Sequence, residues 1–340
     1  NLLYLYKYIA GKGIIEFDQA KFDLMQQKHD IIISTLKQMV EKQIVFDDLG
    51  AKEIMNYHSN YLSAIGDREG SLNYLIENYG TCLTYSRKIE NYLHRCRIGF
   101  FFMDRKLVAD SLEMVDGLIK KCSDWHLKNI NHAYIALYSL WNRNTKLACI
   151  NFLSCVSSFS SFDVMSLVTF CSYTAVTALL TLSREKFYQK IINGSEVQEG
   201  LYNSPYVSKL SEAFYICDYR EFTINLKVVV REMQNDPFCC QHADYLCKQF
   251  RLKAYTQLLA SFKSLTLAYL SDVFALSQEF IEADIAQFIA QKELNCKIDL
   301  VHGMVLISHS DKKNKDFNEF LSQSDHLIET IRFMERTVNE

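Results

Sequence analysis

The residues with the clearest potential for chemistry are three cysteines and a histidine: Cys239, Cys240, His242 and Cys247. Thiolate and imidazole are preferred zinc ligands, and a structural zinc site brings four ligands together, usually from pairs of the form C-x2–4-C. Cys239 and Cys240 are adjacent, so on a helix their side chains would point about 100° apart. Because no second pair lies nearby, the spacing predicts core thiols beside a helix start at Pro237 and no bound metal.

Catalytic signatures are missing from the sequence. None of the nine histidines forms a His-x-His pair, and there is no H-E-x-x-H, G-x-x-x-x-G-K-[ST] or G-x-S-x-G motif. These motifs place metal ligands, a phosphate-binding loop or a nucleophile in fixed geometry. Their absence predicts a protein that is not an enzyme and that carries no cofactor.

The composition favours long helices. The chain has 340 residues with only 2 prolines and 11 glycines, whereas average usage would give roughly 17 and 24. Because β-sandwiches need turn residues every few positions, this scarcity argues against an all-β fold and indicates a mainly α protein. The 11 cysteines are scattered, which is typical of reduced thiols that fill a core. The formal net charge of −3 gives no drive towards phosphate backbones or anionic lipid.

One segment is long and apolar enough to raise the question of a membrane span. Val164–Ser183 has 20 residues without a charge, which could cross a bilayer. Seven of them are Ser or Thr, and the basic flank and aromatic belts typical of such spans are lacking. We therefore expect a helix buried on all sides inside the protein, with hydroxyls bonded to carbonyls four residues earlier.

A short polar turn recurs ahead of apolar stripes. Its marker residues are Asp67, Asp104, Asn144 and Asp218, separated by 37, 40 and 74 residues. Asp and Asn there can accept hydrogen bonds from the free N–H groups of a following helix. Units of about 34–40 residues are typical of tetratricopeptide- and HEAT-like repeats, which stack because one unit cannot bury its own apolar face. We predict a right-handed helical-repeat solenoid at residues 51–260, after an N-terminal helical segment at residues 1–50.

The pattern changes after about residue 260. Leu265–Phe274 and Gln278–Gln291 have helical periodicity, and Cys296–Asp299 and Met304–Ile307 read as short strands around a His-Gly turn. Two helices followed by a β-hairpin form the pattern of a winged helix, which we place at residues 261–309. A polar tract, Ser310–Lys315, is interpreted as a linker to a last helix at residues 316–338.

These elements together resemble the PCI-domain family, the scaffold proteins of the proteasome lid, the COP9 signalosome and the translation initiation factor 3 complex. The resemblance covers roughly residues 85–338, is densest over residues 255–299, and is closer to the proteasome-lid members. The short segments that carry it are Thr169–Phe170, Tyr173–Thr174, Lys190–Ile192, Gly194–Val197, Tyr255–Leu259, Ser264–Tyr269, Glu279–Ile281, Phe288–Ala290 and Cys296–Asp299.

The resemblance implies a non-catalytic scaffold subunit in the lid of the 19S regulatory particle, which supports ubiquitin-dependent protein degradation in cytoplasm and nucleus. In this family winged helices pack side by side and terminal helices gather in a bundle. The implied partners are other PCI subunits, especially the non-ATPase regulatory subunits 3 and 11. The alternative within the family is a scaffold like COP9 signalosome subunit 1.

An alternative from a different class is a winged-helix nucleic-acid-binding protein. Residues 266–307 contain six acidic and two basic residues, a net charge of −4. Duplex binding needs Lys and Arg to neutralise phosphates. The charge therefore favours a protein partner for the winged helix.

These expectations select candidate interface residues. Because a lone hairpin has unpaired strand edges, we expect a neighbouring subunit to contact Ile298, Val301, Val305 and Ile307. In the last helix the apolar stripe is wide enough for a multi-helix bundle, although it could instead fold back onto the winged helix. The stripe residues are Phe317, Phe320, Leu321, Leu327, Ile328, Ile331 and Met334.

Overall fold

The structure, a computed structural model, describes residues 2–46, 48–80, 84–159, 164–307 and 312–339. It is 78% helical, which confirms the mainly α prediction. Within the described residues the helices are α1 (Leu3–Gly11), α2 (Gln19–Phe46), α3 (Asp48–Ile65), α4 (Arg68–Gly80), α5 (Tyr85–Phe101), α6 (Arg105–Ile119), α7 (Trp125–Trp141), α8 (Thr145–Cys155), α9 (Leu167–Thr181), α10 (Arg184–Phe187), α11 (Ser195–Leu201), α12 (Pro205–Ile216), α13 (Tyr219–Asn235), α14 (Ala243–Leu259), α15 (Leu267–Phe274), α16 (Gln278–Ala290) and α17 (Lys312–Asn339). The strands are β1 (Ser264–Thr266), β2 (Cys296–Asp299) and β3 (Met304–Ile307).

The chain divides into two compact units, residues 1–177 and residues 178–340. The first contains helix pairs such as α5–α6 and α7–α8. The second contains the α12–α13 pair and the winged helix. The domain limits predicted from the sequence, residues 51–260 and 261–309, differ from this division and remain a prediction.

The polar turns predicted to begin helices do so. The carboxylate of Asp104 accepts hydrogen bonds from the backbone N–H groups of Lys106 and Leu107 at the start of α6. The markers Asn144 and Asp218 cap α8 and α13 in the same way. At the fourth marker, Asp67 Oδ1 accepts from the N–H of Gly70 at 3.0 Å. Each cap satisfies donors that the first turn of a helix leaves free.

The residue before each marker has a left-handed backbone. The φ angles are 97° at Gly66, 56° at Met103, 63° at Arg143 and 70° at Cys217. The marker N–H then donates to the carbonyl five residues earlier, for example from Asp104 to a carbonyl 2.8 Å away. This is the bond that closes a helix C-terminus in a Schellman motif. The same turn therefore ends one helix and begins the next at four places.

Contacts in the first unit follow the repeat. Arg97 Nε donates to the Tyr134 hydroxyl at 2.9 Å, across a sequence separation of 37 residues. The Ser86 hydroxyl lies 3.4 Å from Cys122 Sγ, 36 residues further along. Equivalent positions of successive helix pairs thus touch, as stacking repeats require.

The uncharged segment forms α9, and its middle is buried. Phe170, Thr174 and Thr177 are each fully shielded from solvent. Thr174 Oγ1 donates to the carbonyl of Phe170 and Thr177 Oγ1 to that of Tyr173, both at 2.8 Å, which confirms the predicted bonding pattern. Among the described residues, every helix is too short or too polar to cross a membrane.

The predicted hairpin is present, but it belongs to a three-stranded antiparallel sheet of order β1-β3-β2. The sequence analysis missed β1 and placed the start of the following helix at Leu265. Instead, Leu265 lies in β1 opposite Val305 of β3, and α15 begins at Leu267 with Thr266 as its cap. Three residues are too few for alternation to identify a strand, so its partner β3 decides its conformation.

The linker prediction was wrong for Lys312–Lys315, because α17 begins at Lys312. Lysine is a good helix former, and the tract contains neither glycine nor proline to stop a helix. Ser310 and Asp311 lie outside the described residues.

Candidate protein interface

The structure gives the cysteines at 239, 240 and 247 separate environments. Cys239 is buried and its neighbour Cys240 is exposed, so the two thiols face different environments. Burial raises the pKa of the Cys239 thiol, which disfavours the thiolate that a metal needs. Cys247 Sγ accepts a hydrogen bond from Arg251 at 3.2 Å. In the part of the chain that the structure describes, no three or more His, Cys, Asp or Glu side chains gather as a metal site.

The proposed hairpin interface needs correction at Val305. Its side chain is 0% exposed, because it lies on the covered face of the sheet beside its cross-strand neighbour Leu265, whereas Leu306 on the opposite face of the same strand is 42% exposed. Val305 is therefore a core residue that a neighbouring subunit cannot reach. Ile298 and Ile307 are half-buried, and the free edges of the sheet belong to β1 and β2.

The tip of the wing is the exposed part of the hairpin. Val301 is 90% exposed and Leu300, which the sequence analysis did not select, is 69% exposed. Asp299 Oδ1 accepts from the N–H groups of Val301 and His302 at 3.0 and 3.3 Å, and its other oxygen lies 2.8 Å from the His302 ring. The hydrogen bond from His302 lowers the pKa of Asp299. These bonds fix a turn that presents two branched apolar side chains to solvent.

The apolar stripe of α17 is exposed along its described length. Exposure ranges from 44% at Leu321 to 66% at Phe320. The other stripe residues are exposed as well: Phe317, Leu327, Ile328, Ile331 and Met334. The described residues of this face are not buried on the winged helix, which favours the bundle over the folded-back alternative. A monomer rarely leaves so large an apolar surface in water.

The acidic residues of the winged helix lie at its surface, except for Asp284. Glu279 and Glu293 are exposed, and Glu282 is half-buried. Asp284 is buried instead, and its carboxylate forms an ion pair with Arg251 of α14. The sequence analysis missed this pair because 33 residues separate the partners. The remaining charge still disfavours a nucleic-acid backbone as a ligand.

Helix pairs followed by a winged helix and an exposed terminal helix define the class of protein. The PCI domain profile matches residues 226–309, which include the whole three-stranded sheet, so this is a PCI-domain protein. A second profile, 26S proteasome subunit RPN7, matches residues 18–190, more than half of the chain. The chain belongs to the 26S proteasome subunit RPN7 family.

Individual relatives agree with this family. The chain is 28% identical over 339 residues to the 26S proteasome non-ATPase regulatory subunit 6 homolog of Arabidopsis thaliana, covering 98% of this chain and 87% of that protein. It is 29% identical over 347 residues to the 26S proteasome regulatory subunit rpn7 of Schizosaccharomyces pombe, covering 99% and 87%. The COP9 signalosome complex subunit 1 of Arabidopsis thaliana is 25% identical over 172 residues, only 51% of this chain and 39% of that protein.

Proposed function

We propose that this chain is a non-catalytic scaffold subunit in the lid of the 26S proteasome regulatory particle. The observation that carries this function is the exposed apolar stripe of α17, which follows a PCI domain in a member of the RPN7 family. An apolar face of this size on a helix is suited to a bundle with helices from other chains. The subunit would hold neighbours in place and support ubiquitin-dependent degradation without a reaction of its own.

Two surfaces would make these contacts. The stripe of α17, from Phe317 to Met334, would enter a bundle with terminal helices of other lid subunits. The wing tip, Leu300 and Val301, would insert into an apolar pocket of a neighbouring winged helix. We propose PCI subunits of the lid, especially the non-ATPase regulatory subunits 3 and 11, as these neighbours, and cytoplasm and nucleus as the location.

The second candidate is a COP9 signalosome scaffold, supported by the partial similarity to subunit 1 of that complex. One experiment separates the two. The chain is tagged in cells, the native complex is purified under low-salt conditions, and its subunits are identified by mass spectrometry. Recovery of the proteasome regulatory particle supports the proposal, whereas recovery of the signalosome overturns it in favour of the alternative.

A further inference from the structure

An ion pair sheltered from solvent joins α14, the helix before the winged helix, to α16 inside it. Arg251 Nε donates to Asp284 Oδ2 at 2.8 Å and Nη2 donates to Oδ1 at 3.1 Å, a bidentate geometry. The Asp284 side chain is 5% exposed and that of Arg251 18%. The remaining Nη1 donates to Cys247, and the guanidinium lies 5.3 Å from the centre of the Phe280 ring. These contacts fix both the position and the plane of the guanidinium.

Most of the other contacts at this junction are between aromatic rings; a long hydrogen bond of 3.5 Å from Arg220 of α13 to the carbonyl of Asp272 of α15 is a further polar contact. The ring of Tyr255 on α14 packs against Phe274 and Phe288, with centroids 4.8 and 6.3 Å apart. Tyr219 on α13 packs against Phe274 at 5.0 Å. Apolar burial is not directional, so these rings constrain the angle between the elements less sharply than a hydrogen bond does. A bidentate charged hydrogen bond weakens steeply when its angle or distance changes.

We propose that Arg251 and Asp284 set the angle at which the winged helix leaves α14, and that this angle is required for docking on neighbouring subunits. The second half of this inference rests on the proposed lid function. Both are positioning residues, since Asp284 is buried and the guanidinium of the half-buried Arg251 is bonded inside the junction and not on a docking surface. They act through the orientation of the wing tip and the sheet edges.

Stability and orientation can be separated at this site. A buried ion pair is a weak source of stability, because the two charges lose their hydration, and an apolar pair of similar volume often replaces it without loss. The apolar replacement keeps the packing but removes the directional bonds. A purely structural role therefore predicts that the replacement has no effect, and a positioning role predicts a change in orientation.

The test uses the double variant Arg251→Met/Asp284→Leu in the full chain. Dyes are attached through non-natural amino acids at Tyr202 and Val301, which are 86% and 90% exposed, and single-molecule energy transfer reports their distance distribution. We expect an unfolding midpoint in urea at or above that of the wild type, together with a broadened or shifted distance distribution. Incorporation of the unlabelled variant into the lid should fall by about tenfold, a size typical of coupled neighbours.

The matched control is Arg87→Met/Glu90→Leu, which removes a more exposed ion pair within α5 and should change neither readout. A wild-type distance distribution in the Arg251→Met/Asp284→Leu variant would overturn the inference. If that variant does not fold, Arg251→Lys takes its place, because it keeps the charge but loses the bidentate bond. A wild-type distance distribution in Arg251→Lys would then overturn the inference.

The two proposals can fail separately. If the wild-type chain does not enter the lid while the distance distribution still changes, the lid function is wrong and the angle is still set by this pair. If the distribution broadens but incorporation stays normal, the link between the angle and docking is wrong.

Discussion

At the scale of single residues, the wing contains two valines with opposite environments. Val301 on the turn is 90% exposed, whereas Val305 in the central strand is 0% exposed. The same substitution at both positions therefore separates a contact surface from a core.

We expect Val305→Asp to destabilise the isolated chain by several kcal/mol, because it buries an unpaired charge. Val301→Asp should change stability by less than about 0.5 kcal/mol but weaken recovery of the complex. Urea unfolding of the purified chain and co-purification from cells measure the two effects. Normal complex recovery with Val301→Asp would exclude the wing tip as an interface.

Met103 holds a left-handed backbone with φ 56° at the turn between α5 and α6. A side chain costs roughly 1–2 kcal/mol in this conformation, whereas glycine adopts it freely. Met103→Gly should therefore raise the free energy of unfolding, by up to about 1 kcal/mol once the greater freedom of the unfolded glycine is included. The control Met114→Gly, at an exposed position inside α6, should lower it by about 1 kcal/mol. Equal effects at the two positions would contradict this explanation.

His58 on α3 is buried and packs edge-on against Tyr74, with ring centroids 4.3 Å apart. Burial lowers the pKa of His58 below its ordinary value of 6.5, and Lys37 and His29 lower it further. Between this lowered pKa and about pH 6.5, the unfolded chain therefore binds a proton that the folded chain does not. The free energy of unfolding should fall as the pH drops through this value, by at most about 1.4 kcal/mol per pH unit from this group.

Urea unfolding at about pH 5 and about pH 7.5 measures this dependence. His58→Gln should reduce the difference between the two conditions, because glutamine does not titrate. An unchanged difference would show that other groups cause the pH dependence.

At the scale of elements, α17 is a helix whose apolar face is exposed in the part of the chain that the structure describes. A helix of 28 residues with an exposed apolar stripe gains most of its stability from packing. Within a complex, the bundle would supply that packing.

Leu327→Asp/Ile331→Asp places two charges on the stripe. We expect the unfolding midpoint of the isolated chain to stay near that of the wild type, since both side chains are exposed. Incorporation into the lid should be lost, because an unpaired charge in a bundle core costs several kcal/mol. Native gels of the tagged complex measure this loss. The control Asp325→Ala/Glu329→Ala, at exposed polar positions of the same helix, should assemble normally.

At the scale of the whole molecule, a net charge of −3 and an acidic winged helix predict no salt-dependent binding to duplex DNA. Fluorescence anisotropy with labelled duplex at about 50 mM salt tests this prediction. Glu279→Lys/Glu293→Lys should create weak binding that salt abolishes. Binding of the wild type with a steep salt dependence would favour the nucleic-acid alternative over the scaffold.

The sequence by itself determined the features that depend on residues close together in the chain, namely the helices, their caps and the apolar stripe. Few prolines and glycines gave long helices, and Asp or Asn at a fixed spacing gave caps such as that of Asp104, because a cap bonds only to N–H groups two or three residues on. The apolar stripe of α17 followed from the helical period of 3.6 residues. The strands β2 and β3 were visible because a turn joins them directly.

Only the tertiary structure decided the features that join distant segments. β1 became a strand through its pairing with β3, some 40 residues later, and Val305 is a core residue because its face of the sheet is covered. Arg251 and Asp284 form an ion pair although 33 residues separate them. The Asp284 carboxylate, which the sequence analysis included in the acidic charge of the winged helix, is therefore buried and paired. Composition and periodicity carry no information about contacts between residues that are far apart in the sequence. The packing of whole helices and strands determines these contacts.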